Sequence, residues 1–290
     1  VAGGACVLDP DELLPANPPG HPIAYVTLGV ALADDIYLLS AQGQEDNLSE
    51  FVANDNWPSW SPDGQSLVFQ SDRDRFGSTE VYLLTNPGGL PAAVRLTNDT
   101  VHQDGQPAWS PLGNRIAFVS DRDSAGFDIY LMTPGGTDVV RLTSDSGNSA
   151  QPAWSPTGDR IAFASDRNGF VDIYVMDSVG GSLINLTNSN DSDLAPQWSP
   201  DGTKIAFHSN RETDDYAIWV MDATGANATR LTPSDPPCEL PHWSPDGARL
   251  AFDCNGDIYI ANADGSGLMQ ITRTTNQQRI EFMPRWRPVP

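Results

Sequence analysis

Apolar residues along this chain come in short clusters, and no stretch shows the i, i+3, i+4 spacing of a helix face. An apolar–small–aromatic triplet recurs at Leu67-Val68-Phe69, Ile116-Ala117-Phe118, Ile161-Ala162-Phe163, Ile205-Ala206-Phe207 and Leu250-Ala251-Phe252. A second cluster follows each, centred on Val81-Tyr82, Ile129-Tyr130, Ile173-Tyr174, Ile218-Trp219 and Ile258-Tyr259. A Leu-Thr or Ile-Thr pair closes each unit, from Leu96-Thr97 to Ile271-Thr272. Between clusters lie turn residues such as Pro134-Gly135-Gly136 and Ala263-Asp264-Gly265. With 25 glycines and 24 prolines in 290 residues, the chain is punctuated too often for helices. Short β-strands joined by tight turns are the expectation.

The clusters belong to a repeat, which overrides the two-domain expectation that length alone would set. Tryptophan recurs at Trp60, Trp109, Trp154, Trp198, Trp243 and Trp286, each with proline two positions before it. The first five continue as Ser-Pro-x-Gly, as in Ser61-Pro62-Asp63-Gly64. That run suits a type I turn joining a Trp strand to a Phe strand: proline presets φ and glycine tolerates positive φ. Each unit of roughly 44 residues thus makes four strands, a sheet too small to cover both its faces unless neighbours pack against it radially. The ends complete the count. Residues 22–50 hold strands two to four of a unit without its Trp strand, and Phe282–Arg287 is a Trp strand with nothing after it. Joined, they give an all-β, six-bladed β-propeller closed by pairing of the two terminal segments, with no open blade edge. An open solenoid or two domains would leave both incomplete units unexplained.

The sentence x-Pro-x-Trp-Ser-Pro-Asp-Gly, Ile-Ala-Phe, Ser-Asp-Arg, Ile-Tyr, Leu-Thr resembles the TolB-like propeller repeat over residues 22–288. The resemblance implies a non-catalytic protein–protein interaction role and a periplasmic or cell-surface location. TolB carries an α/β domain before its propeller. Residues 1–21 are too few for one, so a stand-alone propeller of residues 22–290 behind a proline-rich arm of residues 1–21 is expected. Related propellers gate serine peptidases, but no Gly-x-Ser-x-Gly elbow occurs.

Charge narrows the function classes. There are 38 acidic against 16 basic residues, a formal −22, and Lys204 is the sole lysine. Such a surface repels phosphate backbones, so no nucleic-acid partner is expected. The longest uncharged apolar stretch, residues 23–33, is far short of the roughly 20 residues of a spanning helix, so no membrane span is expected. No basic, hydrophobic leader opens the chain, and an export signal is therefore expected to have been removed. Three readings stay open: an exported interaction scaffold, a subunit self-assembling through the arm into a fibre or surface array, and a channel-based enzyme or metal-dependent lyase. The arm's Leu8, Leu13 and Leu14 favour docking on a partner or on a second copy.

The position five residues before each tryptophan reads Asp55, Asp104, Ser149, Asp193, Cys238 and Glu281. It starts the innermost strand of a blade, so Asp55, Asp104, Asp193 and Glu281 are expected to ring one channel mouth. Four such carboxylates would suit Ca²⁺, a hard cation with oxygen ligands; no cofactor is required. The Ser-Asp-Arg triplets, such as Ser71-Asp72-Arg73, recur too often to be a unique site and are expected to pair each loop with its neighbour. His21, His102, His208 and His242 fall at different repeat positions and read as surface or packing residues. Counting out from the Pro245–Ala248 turn places Glu239 opposite Cys254. Cys238 is then one residue away, and a small bulge would join the two cysteines in a disulfide, leaving Cys6 unpaired. Five Asn-x-Ser/Thr sequons, at Asn47, Asn98, Asn185, Asn190 and Asn227, are candidate glycan sites only in an extracellular setting.

Overall fold

In the computed structural model, residues 21–28, 33–41, 43–49, 51–75, 77–85, 93–99, 101–123, 126–272 and 280–288 are described. The expected arm, with Cys6, lies outside them save for His21. The described residues form six four-stranded antiparallel sheets and no helix. Blades I to V occupy residues 55–95, 104–141, 149–185, 193–230 and 238–270. Blade VI joins Ile280–Trp286 to Ile23–Leu28, with Ile23 opposite Trp286 and Thr27 opposite Glu281. The innermost strands touch in ring order, 280–286 lying against 55–60, so the circle closes as the split repeat requires. Arg287 seals the seam, its Nε donating to the Gly64 carbonyl of blade I at 2.8 Å.

The recurring residues fill the spaces between blades. Phe69, Phe118, Phe163, Phe207 and Phe252 are fully buried, as is each alanine or valine before them. Aromatics bury the most area per residue, which makes them the natural filler between sheets. The closing threonine works within its own blade. Thr143 Oγ1 accepts the Ile129 amide at 2.9 Å and donates to Asp128 at 2.8 Å, and Thr97 and Thr187 repeat the arrangement on Glu80 and Asp172. It therefore satisfies a strand-three amide and a buried carboxylate where the outer strand, only two or three residues long, ends.

Every innermost strand carries the same break. The residue before its proline has positive φ: Trp57 (53°), Gln106 (48°), Gln151 (56°), Ala195 (50°), Leu240 (54°) and Met283 (54°). Proline has no amide for the ladder, and its ring bars the preceding residue from the right-handed helical region. The strand yields with a bulge, and pairing resumes at the residue after proline, at Ser59, Ala108, Ala153, Gln197, His242 and Arg285. This break corrects the count made from the turn. Cys238 lies directly opposite Cys254, and Glu239 opposite Asp253, because the bulge absorbs one residue.

Candidate functional site

The bulges build the wall of the central channel. A left-handed residue on the innermost strand turns its amide out of its own ladder, and a neighbouring blade supplies the acceptor. Gln70 accepts from the Gln106 amide at 3.1 Å, Gln106 from Gln151 at 2.8 Å, and Gln151 from Ala195 at 2.8 Å. His208 Nδ1 accepts from Leu240 at 3.0 Å, and Asp253 accepts from the Met283 amide. These links stitch blade I to II and so on round to blade VI. None of these side chains belongs to the recurring sentence.

Beyond the bulge the six strands open into a funnel of about 350 Å³, walled by the x-Pro-x-Trp-Ser-Pro segments. Tryptophans lean on the preceding blade: Trp154 Nε1 donates to the Ala108 carbonyl at 3.1 Å and Trp243 Nε1 to the Gln197 carbonyl at 3.2 Å. Proline and tryptophan give a rigid, largely apolar concavity. The residue between them decides its chemistry, and in ring order it reads Ser59, Ala108, Ala153, Gln197, His242, Arg285. Three small residues form one arc and three larger polar ones the other. Arg285 is only 8% exposed, and burial pulls its pKa down to about 10, so it stays charged at neutral pH. Burial and the nearby Arg285 push the His242 pKa well below its usual value, leaving the imidazole neutral. Asp253, in the adjoining strand, is raised to about 8 by burial first and by Glu239 second.

At the opposite end of the innermost strands the structure places the expected carboxylates differently. Asp55, Asp104 and Asp193 are fully buried, and each is bound to the arginine of its own blade. Arg73, Arg122 and Arg211 reach them at 3.0, 2.6 and 2.8 Å. Each guanidinium also stacks about 5 Å from two blade aromatics, as Arg122 does on Phe118 and Tyr130. Burial outweighs Ser71 and Arg73 at Asp55 and raises its pKa to about 6. Glu281 is buried in blade VI, opposite Thr27. Three of the four residues expected in the acidic ring thus sit in intrablade ion pairs. Among the described residues no group of three His, Cys, Asp or Glu side chains is placed to hold a metal ion.

The Ser-Asp-Arg triplet is the other half of this device. Its serine faces the innermost carboxylate in register, its aspartate caps the chain arriving from the previous blade, and its arginine closes the ion pair. Blade V departs from it. Its second and third strands are joined by a two-residue turn, Asn255-Gly256, both at positive φ as a type I′ hairpin demands. No arginine follows, and the two facing positions are Cys238 and Cys254, joined by a disulfide with Cα atoms 4.2 Å apart. A covalent bond stands where blades I, II and IV use an ion pair.

The histidines differ in role. His208 is a buried acceptor for its neighbour blade, packed edge-on to Tyr216 at 4.9 Å, and His102 pairs with Asp99 at 2.9 Å. His21 rests edge-on against Trp286. His242 lines the funnel, which its sequence surroundings did not reveal. The available signal was the variable residue inside an otherwise constant Pro-x-Trp frame.

Comparison with known proteins agrees with this architecture. Residues 95–236 match the family described as the TolB beta propeller domain, and residues 210–286 match the dipeptidyl peptidase IV N-terminal region. No curated protein sequence matches the chain. TolB from Acinetobacter baumannii superposes with a TM-score of 0.80 at 25% identity, over 94% of this chain and 68% of that one. A protein described as putative TolB from Agrobacterium tumefaciens gives 0.69 at 21% identity, over 93% and 100%. A chain of a nidogen/laminin complex gives 0.75 at 8% identity, over 93% and 100%, a likeness of fold alone.

Proposed function

We propose that this chain, a TolB-like six-bladed β-propeller, is a non-catalytic protein-interaction scaffold whose contact face is the proline–tryptophan funnel. The observation that carries this reading is the funnel itself. It is a preformed concavity of about 350 Å³ walled by proline and tryptophan, and its lining is fixed by backbone bulges held from the next blade. Rigid aromatic and proline walls lose little entropy when a partner segment enters, which favours binding without rearrangement. Catalysis asks for an acid, a base and a nucleophile brought together, and among the described residues no hydrogen bond joins His242 or Arg285 to a serine of the funnel lining. Export to the periplasm or another oxidising compartment fits both the TolB likeness and the Cys238–Cys254 bridge.

The test is to fill the funnel. Ala108→Trp and Ala153→Trp place bulk at its level on the small arc without touching the ion pairs. Proximity labelling in the native host, with wild type and plugged protein at equal abundance and equal melting temperature, should show a partner that only the open funnel retains. An identical labelled set for the two proteins would remove the funnel as the contact face.

A further inference from the structure

The six-residue ring between proline and tryptophan is uneven, and its unevenness carries a chemical preference. Gln197, His242 and Arg285 occupy three consecutive blades at one register level, each opposite a buried alanine of the second strand: Ala206, Ala251 and Ala24. Opposite them, Ser59, Ala108 and Ala153 leave the space empty of side chain.

Arg285 is the unusual member. The partly shielded Arg73, Arg122 and Arg211 each meet a buried carboxylate of their own blade. Arg285, more than nine-tenths buried, donates Nη1 to the Pro284 carbonyl at 2.9 Å, and no carboxylate among the described residues forms an ion pair with it. Asp253 is the acidic group that acts on it, and with a pKa near 8 that carboxyl is largely protonated at neutral pH. A desolvated cation with no ion-pair partner among the described residues is costly, and the fold retains one inside a chain of net charge −22. Guanidinium has five N–H donors in a planar fork, and among the described residues the Pro284 carbonyl accepts from one of them. His242 adds a further donor. Its Nδ1 accepts the Trp286 amide at 3.3 Å, which places the ring proton on Nε2. The Gln197 carboxamide, partly exposed in the funnel, offers another.

We propose that this arc is a carboxylate-binding subsite, in which Arg285, supported by His242 and Gln197, takes the carboxylate of a partner polypeptide while an adjoining apolar side chain fills the space over Ser59, Ala108 and Ala153. The proposal rests on the funnel as the contact face and names the chemistry that the face selects. A carboxylate matches a guanidinium fork with two parallel hydrogen bonds, and the tryptophan walls exclude the water that would weaken them. The surrounding acidic surface repels free carboxylates at long range, so binding requires the apolar body as well as the charge.

The experiment uses the whole protein and three probes: N-acetyl-alanyl-phenylalanine with a free carboxyl, its C-terminal amide, and N-acetyl-glutamyl-phenylalanine amide. Binding is followed by the indole N–H signals in NMR titration. Either carboxylate probe should bind at least about tenfold more tightly than the plain amide, as expected for a charge-assisted pair. The better of the two tells a chain terminus from an acidic side chain as the source. Arg285→Gln should erase the preference of acid over amide, and Gln197→Ala should reduce it by a smaller factor. Where Arg285→Gln does not fold, the acid-to-amide ratio on the native protein decides. Equal binding of acid and amide, or a preference that survives Arg285→Gln, overturns the subsite. Partner loss on plugging the funnel, seen together with equal binding of acid and amide, would keep the scaffold reading and discard this one.

Discussion

Replacing Cys238 and Cys254 together by serine isolates what the disulfide adds to blade V. The pair of serines is the natural comparison, since Ser149 and Ser165 face each other at the same two positions of blade III with their hydroxyls 3.5 Å apart. In blade III, Arg167 Nη2 donates to Ser149 at 3.0 Å. Blade V has Gly256 where the triplets carry arginine, so the serine variant would keep the register and lose the tie. Cross-linking residues 16 apart restricts the unfolded chain by about 3 kcal/mol at 25 °C in the chain-entropy treatment. Unfolding entropy of about 2 cal/mol/K per residue converts this to roughly 5 °C for a chain of this length. Differential scanning calorimetry under non-reducing conditions should show that drop, and reductant should lower the wild type to the variant's value while leaving the variant unmoved. Intact mass after alkylation should count one modified thiol, Cys6, in the oxidised wild type. A variant that melts within a degree of wild type, or three alkylated thiols in the unreduced protein, would refute the reasoning.

Three further outcomes are expected. Asp253 has its pKa raised from 3.8 to about 8, so the folded state holds a proton that the unfolded chain releases; its stability contribution is complete below about pH 4 and lost as pH rises through 8. Asp253→Asn keeps an oxygen for the Met283 amide and should flatten the fall in melting temperature between pH 5 and pH 9; a variant that tracks wild type across that range rules it out. Arg122→Ala leaves the buried Asp104 carboxylate without its cation and should cost about 3–5 kcal/mol in urea denaturation, with Asp104→Asn in the same chain recovering part of it; additive losses would show that the pair is not coupled. Deleting the last eight residues removes Met283, Pro284 and Trp286 from the closing blade and should lower the melting temperature by more than about 10 °C, whereas unchanged melting would contradict the shared blade.

The repeat in the sequence was enough to determine the blade count, the four strands of each blade and the joining of 22–50 to 282–287. These follow from local alternation, turn chemistry and recurrence, which act over a few residues and are visible along the chain. The register of the innermost strand was not: a proline at the fourth position of each Trp strand forces a left-handed bulge, and only the folded ladder shows which residue it absorbs. For the same reason Cys254 faces Cys238 and not Glu239, the one-residue offset that the count from the turn could close only by supposing a bulge. The fate of the acidic positions was also tertiary. Asp55, Asp104 and Asp193 share a repeat position, which symmetry alone would gather at a mouth, but the Ser-Asp-Arg loop returns over each strand and supplies a cation before the carboxylates can meet. Most of all, the meaning of Arg285 depended on its surroundings. Along the chain it is one arginine in an incomplete repeat; in the ring it stands beside His242 and Gln197 over three small residues, because closing six blades brings to one level residues more than forty positions apart.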